Sequence, residues 1–356
     1  MERTCFTRRR EALRPLLHAK KLEALLVSLD ANRFYLSGFE LQDHQVNESA
    51  GCLVVQSDGD DWLCTDARYD VAAKRLWDHD RIFIYSGDAA TQIGAFFRDK
   101  IQGNLGFDPR VLSFASHTSL SGHLRLAPAE GLVESLRMVK EPEEIACLER
   151  AVSLNHRLME WLPSILGADR TEYELAWAIE RFFRDHGASS LAFPCIAAAG
   201  PNAALPHATP GDSRIREKAC VLVDTGCRVD TYCSDQTRTF WIGDTPSRQF
   251  LRALDAVRVA QEKAIAFIRP GVAAKDVYFV ARNYFERKKC TAHFTHSLGH
   301  GIGLQTHEGP SLSPRSEEIL RAGMVLTVEP GLYYPQWGGV RWEHMVLVTE
   351  EGARVL

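Results

Sequence analysis

The chain has 356 residues, of which 45% are hydrophobic and 25% charged, and its formal net charge is −4. These values are typical of a globular protein with about two domains. The small negative charge predicts no nucleic-acid partner, and the lack of about 18 consecutive apolar residues predicts no membrane partner. The basic N-terminus is not followed by the apolar stretch of a secretory signal, so we expect a cytoplasmic protein.

The first 135 residues alternate helix-like stretches, such as residues 10–24, with short apolar runs at 24–29, 51–56 and 81–86. This alternation predicts a mixed sheet covered by helices, within a chain of the α/β (α+β) class. No combination of residues that indicates catalysis occurs in this part of the chain.

The segment around residue 137 reads as a connection between domains, so we predict domains over 1–136 and 137–356. Three long helices are expected in the second domain, over 143–162, 171–187 and 246–268. Pro142 stands close to the first position of the first helix. Thr171 is the expected N-cap of the second helix, and Gly187 is expected to end it.

Two acidic residues are symmetrically placed in the segment VLVDTGCRVDTYCSDQTRTFWIG. Asp224 and Asp235 are equidistant from the Val229/Asp230 peptide, so a hairpin centred there places the two carboxylates directly opposite each other. Like charges on directly opposite residues are destabilising unless a proton or a metal ion lies between them. The pair therefore predicts a cation site.

A second pair of carboxylates follows the same pattern near the C-terminus. Glu329 and Glu343 are equidistant from Gln336, which lies in a turn-rich stretch. Two such pairs supply most of the ligands for two divalent ions. Carboxylates favour ions such as Mn²⁺, and a mixed oxygen and nitrogen shell also suits Co²⁺ or Zn²⁺.

Three histidines lie between the two pairs in a glycine-rich stretch. If residues 296–300 are extended, His296 and His300 share one face. The glycines that follow, at 301 and 303, permit a tight turn that brings His307 back toward the same pocket. We expect one of the three to bind metal and the others to face the substrate.

Nine cysteines are scattered along the chain without a CxxC pair, which is typical of thiols in a reducing compartment. Cys227 and Cys233 flank the first predicted turn and could instead form a disulfide or bind metal. We expect plain thiols, because the carboxylates already account for the nearby chemistry.

Five residues in this region match, in order and local context, the ligand signature of the pita-bread metallopeptidases. These are Asp224, Asp235, His300, Glu329 and Glu343. The long N-terminal region and the stretch 193–212 resemble the Xaa-Pro aminopeptidase and prolidase branch more than methionine aminopeptidase. The resemblance implies a creatinase-like N-terminal mixed-sheet domain and a C-terminal pita-bread domain with a curved antiparallel sheet. One departure is His344, which stands where the family usually has an acidic residue.

The resemblance also implies an activity, namely hydrolysis of an N-terminal Xaa-Pro bond by hydroxide activated between two divalent ions. Mn²⁺ is the expected metal, with Co²⁺ or Zn²⁺ as alternatives. The five matched residues are the implied ligands, and Glu329 is also the candidate proton shuttle. His207 and His307 are the implied catalytic histidines, and His296 is expected to line the substrate pocket. Arg341 lies two residues before Glu343 on the same predicted strand face, so we expect it to contact a metal-site carboxylate and the substrate.

Several alternatives share this fold. An Xaa-Pro dipeptidase (prolidase) accepts dipeptides, whereas an Xaa-Pro aminopeptidase accepts longer peptides, and we favour the aminopeptidase. Creatinase-like hydrolases and non-catalytic peptide-binding relatives typically have the metal ligands replaced, whereas all five are present here. The expected partners are a proline-containing peptide and, as the family implies, a second copy of the chain in a homodimer.

Overall fold

A computed structural model describes residues 3–43, 48–167 and 169–356 of the protein. The chain divides into two compact units, Met1–Arg137 and Met138–Leu356. Within the described residues, no helix is both long and apolar enough to cross a membrane.

The first unit is built on a six-stranded sheet. Its strands, in chain order, are β1 (Ala24–Val27), β2 (Cys52–Gln56), β3 (Trp62–Asp66), β4 (Ile82–Tyr85), β5 (Asn104–Phe107) and β6 (Arg125–Pro128). The spatial order is β4-β3-β2-β1-β5-β6. Strand β1 runs antiparallel to β2 and parallel to β5, so the predicted mixed sheet is confirmed.

Helices accompany this sheet, as the sequence pattern predicted. They are α1 (Arg3–Ala19), α2 (Asp30–Ser37), α3 (Asp70–Leu76), α4 (Ala89–Phe97), α5 (Phe114–Ser121) and α6 (Leu132–Arg137). All four residues of β1 are buried. A strand buried on both faces has no polar side to expose, which explains why its sequence is an unbroken apolar run.

The second unit has four long helices, α7 (Pro142–Trp161), α8 (Glu172–Asp185), α9 (Arg248–Phe267) and α10 (Ala274–Arg287). The three helices predicted from the sequence are confirmed. Thr171 caps α8 by accepting a hydrogen bond from the Glu174 backbone N–H at 3.1 Å. Gly187, with φ at 96°, follows its end. A left-handed conformation at this position is one that glycine adopts without strain, so the chain can leave the helix there.

The strands of the second unit pair antiparallel throughout the described residues. They are β7 (Ser190–Leu191), β8 (Ile196–Ala199), β9 (Cys220–Thr225), β10 (Cys227–Val229), β11 (Tyr232–Cys233), β12 (Gln236–Trp241), β13 (Gly299–Gly301), β14 (Glu308–Leu312), β15 (Val325–Val328), β16 (Gly331–Tyr334), β17 (Gly338–Arg341), β18 (His344–Val348) and β19 (Ala353–Val355). A three-stranded sheet has the order β12-β9-β8, and a five-stranded sheet has the order β14-β13-β15-β18-β19.

Helix α9 joins the two carboxylate-bearing regions and packs against their strands. Its buried face carries Ala253, Val257, Ala260 and Ala264, spaced three or four residues apart. This spacing places them on one side of the helix, and their small side chains let the strands approach closely. They share a core with residues of β9, β15 and β17. The helix therefore supports both regions from one side.

The first carboxylate hairpin differs from the sequence prediction, because the partner of Asp224 lies two residues later than expected. Asp224 lies opposite Thr237, not opposite Asp235. The turn is made by Asp230 and Thr231, both with positive φ, so its centre lies one residue later than predicted. Two consecutive positive φ angles are typical of a two-residue hairpin turn. Asp235 is therefore a diagonal neighbour of Asp224 on the same face, which still brings the side chains together.

The second carboxylate pair has the predicted register. Val328 pairs with His344 on one side of it. Gly331 pairs with Arg341 on the other side. The same register on both sides places Glu329 opposite Glu343.

Candidate active site

Three of the predicted metal ligands converge in the interior of the second unit. Asp224, Asp235 and Glu343 each offer a carboxylate oxygen, and these oxygens lie within 4.8 Å of one another. All three residues are buried, with exposed fractions of 8%, 6% and 1% respectively. Carboxylates packed this closely away from water repel one another unless protons or cations neutralise them.

His300 and Glu329 complete this group. The His300 Nε2 atom lies 3.4 Å from Glu329 Oε1 and 3.6 Å from Asp235 Oδ2. On the other side of the ring, Nδ1 lies 3.1 Å from the Gly301 carbonyl oxygen, which can only accept a hydrogen bond. Nδ1 therefore carries the proton in the neutral ring, and the lone pair of Nε2 points toward the carboxylates.

Burial controls the protonation of this metal-free site. It lowers the pKa of His300 to about 4, and the adjacent His307 acts in the same direction. Burial also raises the pKa of Glu329 to about 8, against the opposing effect of Arg341. The pKa of Asp235 is raised well above its usual range by burial and then by the Glu343 and Asp224 carboxyls. A neutral imidazole beside carboxyls that resist ionisation is a site that favours an added cation.

The donor set fits divalent metal ions. Asp224 Oδ1 and Glu343 Oε1 are buried oxygens without a hydrogen-bond partner in the structure. Buried polar atoms without partners are rare, and a bound cation would satisfy both oxygens. Four carboxylates and one neutral imidazole are also the ligand types that Mn²⁺, Co²⁺ and Zn²⁺ accept.

Arg341 links the carboxylates to the surrounding strands. Its Nη2 atom donates to Asp224 Oδ2 at 2.5 Å, and Nε donates to Thr237 Oγ1 at 3.1 Å. Its Nη1 atom donates to Tyr333 Oη at 2.7 Å and to the Pro206 carbonyl at 3.2 Å. Each guanidinium nitrogen therefore has a protein acceptor, which orients the Asp224 carboxylate.

A cavity of about 580 Å³ opens beside the cluster. Its walls include the three other histidines predicted for the site, His207, His296 and His307. The ring of His307 stacks at a tilt over that of His300, with 4.1 Å between the ring centroids. His207 and His307 are exposed. The structure thus brings all the predicted site residues to one cavity or to the carboxylates at its base.

The position of His296 differs from the prediction that it shares a strand face with His300. Strand β13 begins at Gly299, so His296 lies before the strand and the alternation of strand faces does not apply to it. Its Nδ1 atom faces the Ser297 carbonyl at 2.7 Å, and its Nε2 atom lies 2.9 Å from Tyr333 Oη. Because a carbonyl only accepts, Nδ1 carries the proton and Nε2 accepts from the tyrosine hydroxyl. Burial lowers the pKa of His296 to about 4, which keeps this ring neutral.

Sequence reasoning did not select three polar residues that support the ligands. Thr237 donates to Glu343 Oε2 at 2.7 Å, and Thr327 donates to Glu329 Oε1 at 3.3 Å. Tyr333 joins Arg341 to His296, as described above. Thr237 and Thr327 each lie two residues from a predicted ligand on a strand. Strand alternation therefore offered a signal for the two threonines, because residues two apart share a face.

His344, the departure from the family pattern, is part of a buried polar contact beneath the site. Its Nε2 atom lies 2.7 Å from Arg238 Nη2, and its Nδ1 atom lies 3.0 Å from Gln261 Oε1. A guanidinium only donates, so Nε2 accepts and Nδ1 donates to the glutamine. Burial, followed by the charge of Arg238, lowers the pKa of His344 to about 3. A neutral histidine therefore bridges the two residues.

Gln261 extends this contact to the chain segments that carry the two glutamates. Its Nε2 atom donates to the carbonyls of Val328, at 2.7 Å, and Trp342, at 3.1 Å. These residues immediately precede Glu329 and Glu343. A single side chain from α9 thus ties together the backbones of the two glutamate ligands.

The cysteines are not among the predicted metal ligands. None of the nine, all of which lie in the described part of the chain, forms a disulfide. The Cys227 thiol donates to the Ala151 carbonyl and the Cys233 thiol to the Leu304 carbonyl, each at 3.7 Å. Neither Cys227 nor Cys233 forms a disulfide.

Comparison with known proteins agrees with this geometry. Residues 146–350 match metallopeptidase family M24, and residues 9–139 match the creatinase/prolidase N-terminal domain. The chain is 33% identical to the uncharacterized peptidase YqhT of Bacillus subtilis over 349 residues, which are 97% of this chain and 96% of the relative.

Two solved structures are similar over nearly the whole chain. The Xaa-Pro dipeptidase from Bacillus anthracis has a TM-score of 0.91 and 31% identity, covering 98% of this chain and 97% of that one. The X-Pro aminopeptidase from Thermotoga maritima has a TM-score of 0.82 and 31% identity, with 94% of each chain covered. The predicted two-part fold is confirmed by these matches. With a family match over more than half of its length and a buried cluster of carboxylates, the chain belongs to metallopeptidase family M24.

Proposed function

We propose that this protein hydrolyses the peptide bond between an N-terminal residue and a following proline, using two divalent ions. The observation that carries the proposal is the buried carboxylate cluster with two unpartnered oxygens at the base of a histidine-lined cavity. The ligands are Asp224, Asp235, His300, Glu329 and Glu343, and Mn²⁺ is the metal we favour over Co²⁺ or Zn²⁺. The Xaa-Pro specificity of the similar solved proteins supports the choice of substrate.

When bound, the ions supply the nucleophile by lowering the pKa of water. The chain then has to deliver a proton to the leaving proline nitrogen, because an amine anion is too poor a leaving group. Glu329 is the side chain we assign to this step. It borders the cavity, and its Oε1 atom is oriented by the Thr327 hydroxyl at 3.3 Å.

We assign the two exposed histidines on the cavity wall to hydrogen bonding with the substrate. His207 and His307 can donate hydrogen bonds to the scissile carbonyl oxygen as negative charge develops on it, and to the carbonyl on the proline side. The Nε2 atom of His296 already accepts a hydrogen bond from the Tyr333 hydroxyl, so we assign this residue to the shape of the pocket. Phe193, Pro194 and nearby residues form an apolar wall against which the proline ring can pack.

The charges along the cavity favour an aminopeptidase. A dipeptide ends in a free proline carboxylate, which needs a cation in a site that excludes water. Among the described residues that line this cavity, Arg341 is the only one with a permanent positive charge. Each of its guanidinium nitrogens already has a protein acceptor. In a longer peptide, a neutral amide takes the place of the charged proline carboxylate. Dipeptidase activity is the second candidate, and the similarity to the Bacillus anthracis Xaa-Pro dipeptidase favours it.

Three matched substrates test this choice in Mn²⁺-loaded protein. Ala-Pro-Ala, Ala-Pro amide and Ala-Pro share the scissile bond, and Ala-Pro amide differs from Ala-Pro only in lacking the carboxylate charge. We expect kcat/KM to be higher for the tripeptide and the amide than for Ala-Pro. A preference for Ala-Pro over its amide would establish the dipeptidase instead. Failure to cleave any of the three, with cleavage of Ala-Ala-Ala, would refute proline specificity.

Metal loading also separates a peptidase from its non-catalytic and creatinase-like relatives, in which the ligands are typically replaced. We further propose a cytoplasmic homodimer. The nine cysteines, none of which forms a disulfide in the structure, support a reducing compartment. Sedimentation velocity tests the dimer, and a single species with the mass of one chain would refute it.

A further inference from the structure

The loop that carries His207 leaves β8 at Ala199 and returns at Gly211 beside the start of α8. Residues 206–210 of this loop line the cavity. The apolar side chains that anchor the loop in the core are small alanines, at 203 and 208, while Leu205 is 58% exposed. Its position therefore depends on polar contacts as well as on this packing.

One buried carboxylate makes contacts with both ends of this loop. Glu172, the first residue of α8, is 1% exposed. Its Oε1 atom accepts from the Ala199 backbone N–H at 2.7 Å, and its Oε2 atom accepts from the Gly211 backbone N–H at 3.2 Å. The Asn202 amide nitrogen donates to the two oxygens at 3.0 and 3.2 Å. A single side chain therefore joins the beginning, the first turn and the end of the loop.

The middle of the loop is held by a residue of the active site. Arg341 donates to the carbonyl of Pro206, the residue before His207, at 3.2 Å. Along the chain, His207 thus lies between Pro206, which Arg341 contacts, and Gly211, which Glu172 contacts. Releasing either end of the loop would let the ring move relative to the carboxylate cluster.

We propose that Glu172 is a positioning residue that closes the 199–211 loop and thereby places His207 against the substrate. The inference rests on the proposed function, because it assigns His207 a role in the reaction. Glu172 does not border the cavity and contacts no proposed metal ligand in the structure described here. Its effect on catalysis would therefore pass through the loop.

Glu172→Gln tests this proposal with little change of shape. A glutamine has one accepting oxygen and one donating NH₂ group, so in either orientation the NH₂ faces a donor at one end of the loop. We expect kcat/KM to decrease by roughly 10-fold to 100-fold, the range for a misplaced group near the reacting atoms. Metal content should be unchanged. Glu174→Gln is the matched control, because it removes the same charge from the same helical turn and keeps an acceptor for the Thr171 N–H.

A double-mutant cycle with His207→Ala distinguishes positioning from a general structural role. If Glu172 acts through His207, Glu172→Gln causes no further loss of kcat/KM in the His207→Ala protein. An equal loss in both backgrounds, or no loss in the wild-type background, would overturn the proposal. Faster hydrogen exchange confined to residues 199–211 would report the opened loop independently of activity.

Other outcomes are also decisive. If His207→Ala cleaves Xaa-Pro peptides normally, the positioning role is refuted while the proposed function survives. If Glu172→Gln does not fold, Asn202→Ala replaces it in the same cycle. That variant removes one donor from the loop and should give a smaller decrease that also disappears in the His207→Ala background.

Discussion

Replacing Glu329 with glutamine should stabilise the metal-free protein and weaken its response to metal. Burial raises the pKa of Glu329 from 4.5 to about 8 in the metal-free site, against the opposing effect of Arg341. Glutamine keeps the shape and the oxygen that accepts from Thr327. It has no charge to desolvate, but it is a poorer metal ligand.

The size of the effect depends on pH. Because the pKa of Glu329 is higher in the folded than in the unfolded state, the protonated carboxyl favours folding, and this stability is lost as the pH rises from 4.5 through about 8. One pKa unit corresponds to about 1.4 kcal/mol, so the loss at pH near 7 is about 3 kcal/mol. In a domain of this size the glutamine variant should melt roughly 6–12 °C higher.

Thermal unfolding in EDTA and in Mn²⁺ measures both effects. We expect Glu329→Gln to be more stable than the wild type in EDTA near neutral pH and nearly equal to it at pH about 4.5. Added Mn²⁺ should raise the melting temperature of the wild type more than that of the variant. Glu350→Gln, at an exposed position, is the control for loss of charge. Equal stability of wild type and Glu329→Gln in EDTA at neutral pH would refute the reasoning.

Three further predictions concern the site. Elemental analysis after metal loading should find about two divalent ions per chain, since four carboxylates and one imidazole are more ligands than one small cation needs. A consistent absence of metal, with no activation by Mn²⁺, Co²⁺ or Zn²⁺, would contradict the peptidase proposal. Asp235→Asn should lower metal content and activity together, and full activity at limiting metal would show that Asp235 is not a ligand. His207→Ala should retain both ions while kcat/KM falls by roughly 10²–10³, as for loss of one oxyanion donor. His186→Ala, at an exposed position just after the end of α8 and outside the cavity lining, is its control. Equal activities of the two variants would rule out the role given to His207.

Much of the fold could be predicted because it depends on neighbours in the chain. The capping of α8 by Thr171 and its end at Gly187 involve contacts within a few residues. The apolar runs that form β1 and β2 follow from the rule that strands buried on both faces lack polar positions. The match to the five metal ligands depended on their order and local context, which the sequence also contains.

Register was predictable only where the turn was read correctly. The symmetric placement of Glu329 and Glu343 agreed with the observed pairing. The same reasoning placed the turn of the first hairpin one residue too early, because Asp230 and Thr231 adopt positive φ. The predicted centre was the midpoint of the two aspartates, and non-glycine residues rarely adopt that conformation, so nothing in the sequence marked the true turn.

The sequence by itself determined three of the long helices of the second unit, which follow from periodicity and capping, whereas α10 was not predicted. It also contained the candidate ligands, which were identified by the resemblance of their order and local context to a known family. Only the tertiary structure decided which groups hold the predicted ligands and the 199–211 loop in place. Arg341 meets Asp224 across 117 positions, Gln261 meets Val328 across 67, and Glu172 meets Gly211 across 39. Contacts between residues so distant in the chain arise from the packing of whole elements, which no local pattern records.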